Sequence, residues 1–224
     1  MPTIRRTRLW DAPTRLFHWS LVALFGALWW TGKNGVLDWH RRAGYCLIAL
    51  LLFRITWGLV GGSTARFSRF VKGPRDVVRY VRYSMFSRAE TAQTLGHNPL
   101  GGWSVLVMLV LLITQTGLGL VSVDVDGIES GPFSYLVAFD TGRKAAYLHH
   151  LMFNVLLGIV ALHILAVLFY LLLHRENLVW PMISGNRISR DEETGMIAAP
   201  AARAAGVIVV SGIIVWGILK IWGR

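Results

Sequence analysis

The sequence predicts an all-α integral membrane protein, a four-helix bundle with a fifth, C-terminal transmembrane helix. Three observations predict this. Of 224 residues, 54% are hydrophobic and 16% charged, with a mean hydropathy of +0.50, whereas soluble domains carry about 25% charged residues. Five apolar stretches approach the roughly 20 residues that a membrane helix needs. The charged residues gather in the connections between those stretches.

The first stretch, about 16–32, is short, but Trp29 and Trp30 suit a helix end at the bilayer interface. The second covers about 43–61, the third about 103–123, the fourth about 146–173 and the fifth about 204–222. Residues 1–185 are therefore expected to form one transmembrane domain, and 186–224 a cytoplasmic segment followed by the last helix. Ten tryptophans are a surplus that aromatic belts at the two interfaces absorb.

Orientation follows from Lys and Arg in the loops. Arg5, Arg6, Arg8 and Arg15 precede the first stretch, and the 62–102 loop carries Arg66, Arg69, Lys72, Arg75, Arg79, Arg82 and Arg88. The 124–144 loop inverts the balance with Asp124, Asp126, Glu129 and Asp140. The N-terminus is thus expected in the cytoplasm, the acidic loop outside, and the C-terminus outside after five spans. Within the basic loop, the segment Pro74–Phe86 sets Val77, Val78, Val81 and Met85 on one helical face and Arg75, Arg79 and Arg82 on another. Such a helix lies in the interface against anionic lipid, a solvated loop being the alternative.

A net charge of +11 would raise nucleic acid as a partner in a soluble chain. Here the basic residues alternate with apolar runs, so they report topology and no nucleic acid is expected. Cys46 is the only cysteine. This excludes an internal disulfide, an iron–sulfur cluster held by this chain alone, and covalent C-x-x-C-H haem attachment. Arginines precede the first apolar run and no small-residue cleavage site follows it, so no cleavable signal is expected.

Four of seven histidines lie in or at the ends of the predicted helices: His18, His40, His149 and His163. Ionisable residues in a membrane are costly and mark functional sites. His149 and His163 are fourteen residues apart on one helix, which separates them by about 21 Å of rise and only about 40° of rotation. They face the same neighbours at two depths. His18 begins the first helix on the cytoplasmic side and His40 opens the second on the outer side. Topology pairs His18 with His163 and His40 with His149. Two imidazoles fill both axial positions of a haem iron, which suits electron transfer and leaves no place for oxygen. Two non-covalent haems b, stacked across the bilayer, are the expected cofactors.

Arg54 interrupts the apolar run LLFRITWG near the depth of the inner pair. It either meets a haem propionate as a forked donor or snorkels to headgroups. Gly44, one turn after His40, either leaves room for a porphyrin edge or packs helices. His150 points about 100° away from His149 and is the weaker ligand candidate. His97 precedes a Pro-Leu-Gly-Gly turn, where a turn hydrogen bond competes with a quinone or proton-transfer role.

The stretches LWDAPTRLFHW (9–19), DWHRRAGYCLIALLLFRITWG (38–58), LGHNPLGGW (95–103) and LHHLMFNVLLGIVALHILAVLFYLL (148–172) resemble the bacterial cytochrome b-561 and nickel–iron hydrogenase b-type cytochrome family. The resemblance implies a di-haem core in a bacterial inner membrane, with ligands at His18, His40, His149 and His163. It further implies electron transfer between quinone and a redox partner protein, either a periplasmic cytochrome or a dehydrogenase or hydrogenase subunit. The fifth helix departs from the family's four-helix pattern; it would suit a partner subunit or a homodimer. Two other functions compete. One is a stand-alone oxidoreductase coupling quinone to a small species such as superoxide; the other is a metal or proton carrier without haem. Against the carrier, Asp and Glu occur only in loops and the histidines divide into two distant pairs.

Overall fold

A computed structural model describes residues 5–84, 96–126, 129–189 and 195–222. The long helices are α1 (Ala12–Lys33), α2 (Leu37–Val60), α5 (Pro99–Val121), α6 (Phe139–Phe169) and α8 (Ala201–Trp222). Between them lie the short helices α3 (Phe67–Phe70), α4 (Pro74–Arg79) and α7 (Val179–Ser184). Tyr80–Ser84 and Tyr170–His174 wind as π-turns that continue α4 and α6.

The expected runs become helices with earlier starts, and polar residues set the starts. Asp11 accepts the Thr14 N–H through Oδ1 at 2.8 Å, so α1 begins at Ala12 with Pro13 in its first turn. Asn98 Oδ1 accepts the Gly101 N–H at 2.7 Å and starts α5 at Pro99. Helix α2 starts at Leu37, so His40 lies inside its first turns. The amphipathic segment is helical over Pro74–Ser84, with Val78 and Val81 exposed; Met85 and Phe86 fall outside the described residues, as do Arg88 and Leu95.

Among the described residues, four helical segments are long and apolar enough to cross a membrane: Leu37–Val60, Pro99–Val121, Phe139–His174 and Ala201–Lys220. In Phe139–His174, only 11% of the most apolar window is buried, so apolar surface faces outward and needs lipid. Helix α1 has 22 residues but is not among the four. His18, Trp19, Ser20, Trp29 and Trp30 dilute its hydropathy. The expected five apolar spans are thus met by four on this measure. The structure is mostly helical, as expected; beside the helices, Arg5–Arg8 and Asn186–Ser189 form a two-stranded antiparallel ribbon, β1 and β2, pairing Arg8 with Asn186 and Arg5 with Ser189.

The chain divides into two compact units, and the five long helices contribute residues to both. One comprises Met1–Phe17, Arg54–Val107 and Ala161–Ala204. In it the ribbon continues into loop-to-loop bonds: the Leu9 and Trp10 N–H groups donate to Gly185 O, Met196 N–H to Arg8 O, and Ser63 N–H to Ile197 O. Trp57, 1% exposed, donates from Nε1 to Asp11 Oδ2 at 3.1 Å. Gly58 is required there, since an added Cβ would lie 2.0 Å from the Phe67 ring.

The other unit comprises His18–Phe53, Met108–Val160 and Ala205–Arg224. Its core holds Leu47, Leu51, Leu109, Leu112 and Leu156, and Phe25 stacks on Phe153. Arg41 ties the start of α2 to the acidic loop, reaching Glu129 and Asp38 at 2.5 Å each.

Candidate functional site

Within the second unit, α2 and α6 bring the rings of His40 and His149 together edge-on. Their ring centroids are 6.1 Å apart and the ring planes are at 81°. His40 Nδ1 lies 3.0 Å from Leu28 O, and His149 Nδ1 lies 2.9 Å from Gln115 O. A backbone carbonyl only accepts, so each Nδ1 carries the proton and donates. Each Nε2 therefore keeps its lone pair, the state in which a histidine binds metal.

The pair fits a haem iron. An imidazole nitrogen bonds a transition metal at about 2 Å. Its ring centre lies about 1 Å further, so two imidazoles on one metal have centroids about 6 Å apart. The surroundings fit as well. Nothing lies within 4 Å of a Cβ added at Gly44, one turn after His40, so this face has room. Gln115 is 8% exposed, and its side-chain Oε1 has no hydrogen-bond partner among the described residues. Among those residues no group of three or more His, Cys, Asp or Glu could hold a metal ion.

His18 and His163 lie in different units. Each is half-buried, and the His18 ring meets Trp19 edge-on at 5.1 Å. His150 is exposed, with its ring 6.3 Å from that of His149.

Arg54 is 2% exposed, so its charge does not reach headgroups. Its guanidinium carbon lies 4.8 Å from the Phe67 ring centre, 5.8 Å from Phe70 and 5.9 Å from Phe17. Nη1 donates to Ala65 O at 3.3 Å. One long hydrogen bond uses little of a guanidinium's five donors, and the carboxylate of Asp11 in the same unit acts on its charge from a distance. In the same unit His97 sits between Trp10 and Phe70, each ring centre 4.7 Å away. Burial, with smaller contributions from Arg54 and His163, holds its imidazole well below the ordinary range, so it is neutral.

Some polar contacts have no signal in the sequence spacing. The Tyr80 and Tyr170 hydroxyls bond each other, and Asn98 Nδ2 donates to both, at 3.1 and 2.8 Å. Burial and the bond to Tyr170 raise the Tyr80 phenol above its ordinary value. Thr31, whose Oγ1 lies 3.2 Å from His40 Nδ1, is another such contact.

Comparison with known proteins adds the family. Residues 9–185 match the family described as prokaryotic cytochrome b561. The chain is 27% identical over 214 residues to a probable Ni/Fe-hydrogenase B-type cytochrome subunit of Bradyrhizobium diazoefficiens, covering 82% of this chain and 86% of the relative. A probable subunit of the same description from Rhizobium leguminosarum is 25% identical, covering 83% and 90%. A probable Ni/Fe-hydrogenase 1 B-type cytochrome subunit of Escherichia coli K12 is 26% identical over 170 residues, covering 63% and 72%. No solved structure matches the chain.

Proposed function

Because the chain belongs to the prokaryotic cytochrome b561 family, we propose that it is a di-haem b-type cytochrome that carries electrons across the bacterial inner membrane between quinone and a redox partner protein. The pair of His40 and His149 supports this reading: their ring centroids are 6.1 Å apart, and each Nδ1 donates to a backbone carbonyl, which leaves Nε2 unprotonated. These two residues would hold the outer haem, and His18 with His163 the cytoplasmic-side haem. Arg54 would meet a propionate of the latter. Haem held by these residues would supply a one-electron couple. The protein's part is to hold the imidazoles in one tautomer, to bury them in a low-dielectric surround and to compensate the propionate charge.

The names of the relatives support a Ni/Fe-hydrogenase as the redox partner. An N-terminus in the cytoplasm and an α1 that spans complete the proposal. Helix α8 would be a further span outside the haem core and free to meet a partner subunit or a second copy. The experiment is a pyridine haemochrome assay on the purified chain with an optical spectrum. Two low-spin haems b per chain are expected. A ratio near one, or a high-spin spectrum, sinks the paired-histidine scheme.

A further inference from the structure

The two outer histidines are seated on neighbouring helices in one and the same way. His40 Nδ1–H donates to the carbonyl of Leu28 in α1, and the residue four places on is Gly32. His149 Nδ1–H donates to the carbonyl of Gln115 in α5, and the residue four places on is Gly119. In an α-helix the carbonyl of residue i already accepts the N–H of residue i+4, so a second donor must enter beside the side chain at i+4. A Cβ at Gly32 would lie 3.2 Å from both Cε1 and Nδ1 of His40. At Gly119 it would lie 2.9 Å from Cε1 and 3.2 Å from Nδ1 of His149. By contrast, nothing lies within 4 Å of a Cβ added at Gly26, Gly117 or Gly158.

We propose that Gly32 and Gly119 are positioning residues for the outer haem: each opens a seat on a helix where one ligand imidazole docks its Nδ1–Cε1 edge and has its tautomer fixed by the carbonyl one turn earlier. This rests on the reading of His40 and His149 as ligands. The seats differ in one respect. At His40 the Nδ1–H is shared with Thr31 Oγ1 at 3.2 Å, and the Thr31 hydroxyl itself donates to Ala27 O at 2.7 Å. Thr31 is 6% exposed, so water does not replace that acceptor. An acceptor on the far nitrogen strengthens an imidazole as an iron ligand, and a stronger donor favours the oxidised metal. Thr31 therefore tunes one ligand of one haem.

The test compares alanine at the two seats with alanine at open helix positions, in purified full-length protein. Alanine is a better helix former than glycine, so loss of haem at a seat does not follow from a weaker helix. Gly119→Ala is expected to lose the outer haem, halving the haem-to-protein ratio. Gly32→Ala, with the looser approach, is expected to keep it with a shifted low-spin EPR signal. Gly26→Ala and Gly117→Ala should match the parent. Thr31→Val, which preserves shape, should raise the midpoint potential of the outer haem and leave the other unchanged; it decides the matter if the alanine variants do not accumulate. Unchanged haem content and EPR in both seat variants, or an unchanged potential in Thr31→Val, overturns the proposal. His40→Ala and His149→Ala separate the two failures. If they too leave both haems in place, the ligand assignment falls; if they remove the outer haem while the seat variants do nothing, only the seats fall.

Discussion

Arg54 carries its charge inside α2 with almost no exposed surface. Counting along a helix from His40 gives its depth, and an arginine inside LLFRITWG needs a reason for its charge. The sequence could not show that Phe67 and Phe70, from the short α3 beyond the end of α2, close over its guanidinium. Desolvating the Arg54 charge costs stability that the charge of Asp11 only partly offsets, so Arg54→Leu should leave the thermal stability of the haem-free protein equal or higher. In the loaded protein it should lower the midpoint potential of the cytoplasmic-side haem or its retention, with lysine a partial substitute because it lacks the fork. Unchanged potentials and occupancies at both haems would end the propionate role. His97 makes a second prediction at this scale. Its folded-state pKa is depressed by burial, so between that value and about 6.5 the unfolded chain binds the extra proton. Its contribution is complete above about 6.5 and is lost progressively as pH falls toward the folded value. Melting curves from about pH 5 to 7 should be flatter for His97→Phe, which keeps an aromatic ring between Trp10 and Phe70. An equally steep acid limb would assign that slope to other groups.

At the scale of elements, apolar runs announce helix interiors while caps decide the ends. The early starts of α1 and α5 come from Asp11 and Asn98, single polar residues outside the apolar runs. The ribbon of Arg5–Arg8 and Asn186–Ser189 was not legible, because RRTR and NRIS lack a clear alternation of apolar and polar residues and their register depends on pairing across the chain. The π-turns at Tyr80–Ser84 and Tyr170–His174 were equally silent. Both begin at the tyrosines whose hydroxyls meet, with Asn98 donating to each. That three-residue junction joins the basic loop, the start of α5 and the end of α6. Removing one hydroxyl should cost about 1 kcal/mol. Tyr80→Phe and Tyr170→Phe share one bond, so the double variant should cost less than the sum of the singles. Strict additivity in denaturation would mean that the hydroxyls act separately.

For the whole molecule, hydropathy and loop charge made the membrane class plain, while His18, the ligand proposed in α1, also lowers the membrane signal of that helix. The path of the chain supplies what hydropathy lacks. Thr64 Oγ1 donates to Leu9 O at 2.8 Å, joining the segment before α1 to the loop after α2. The ribbon joins the same N-terminal segment to the stretch between α6 and α8. Arg203, at the start of α8, donates to Val60 O at the end of α2 at 2.9 Å. A segment before α1 that bonds the loop after α2 requires an even number of crossings between them. If α2 crosses, α1 crosses too. The proposed orientation, read from the basic residues of these segments, puts all of them in the cytoplasm, with α8 carrying the C-terminus outward. Reporter fusions at the N-terminus and after Lys72, Gly131 and Lys220 should therefore read inside, inside, outside and outside. An N-terminal fusion that reads outside while Lys72 reads inside would make α1 interfacial, break the Leu9–Thr64 contact and remove the depth at which His18 can pair with His163. A cytoplasmic reading at Lys220 would leave α1 and both histidine pairs intact and make α8 alone lie along the membrane.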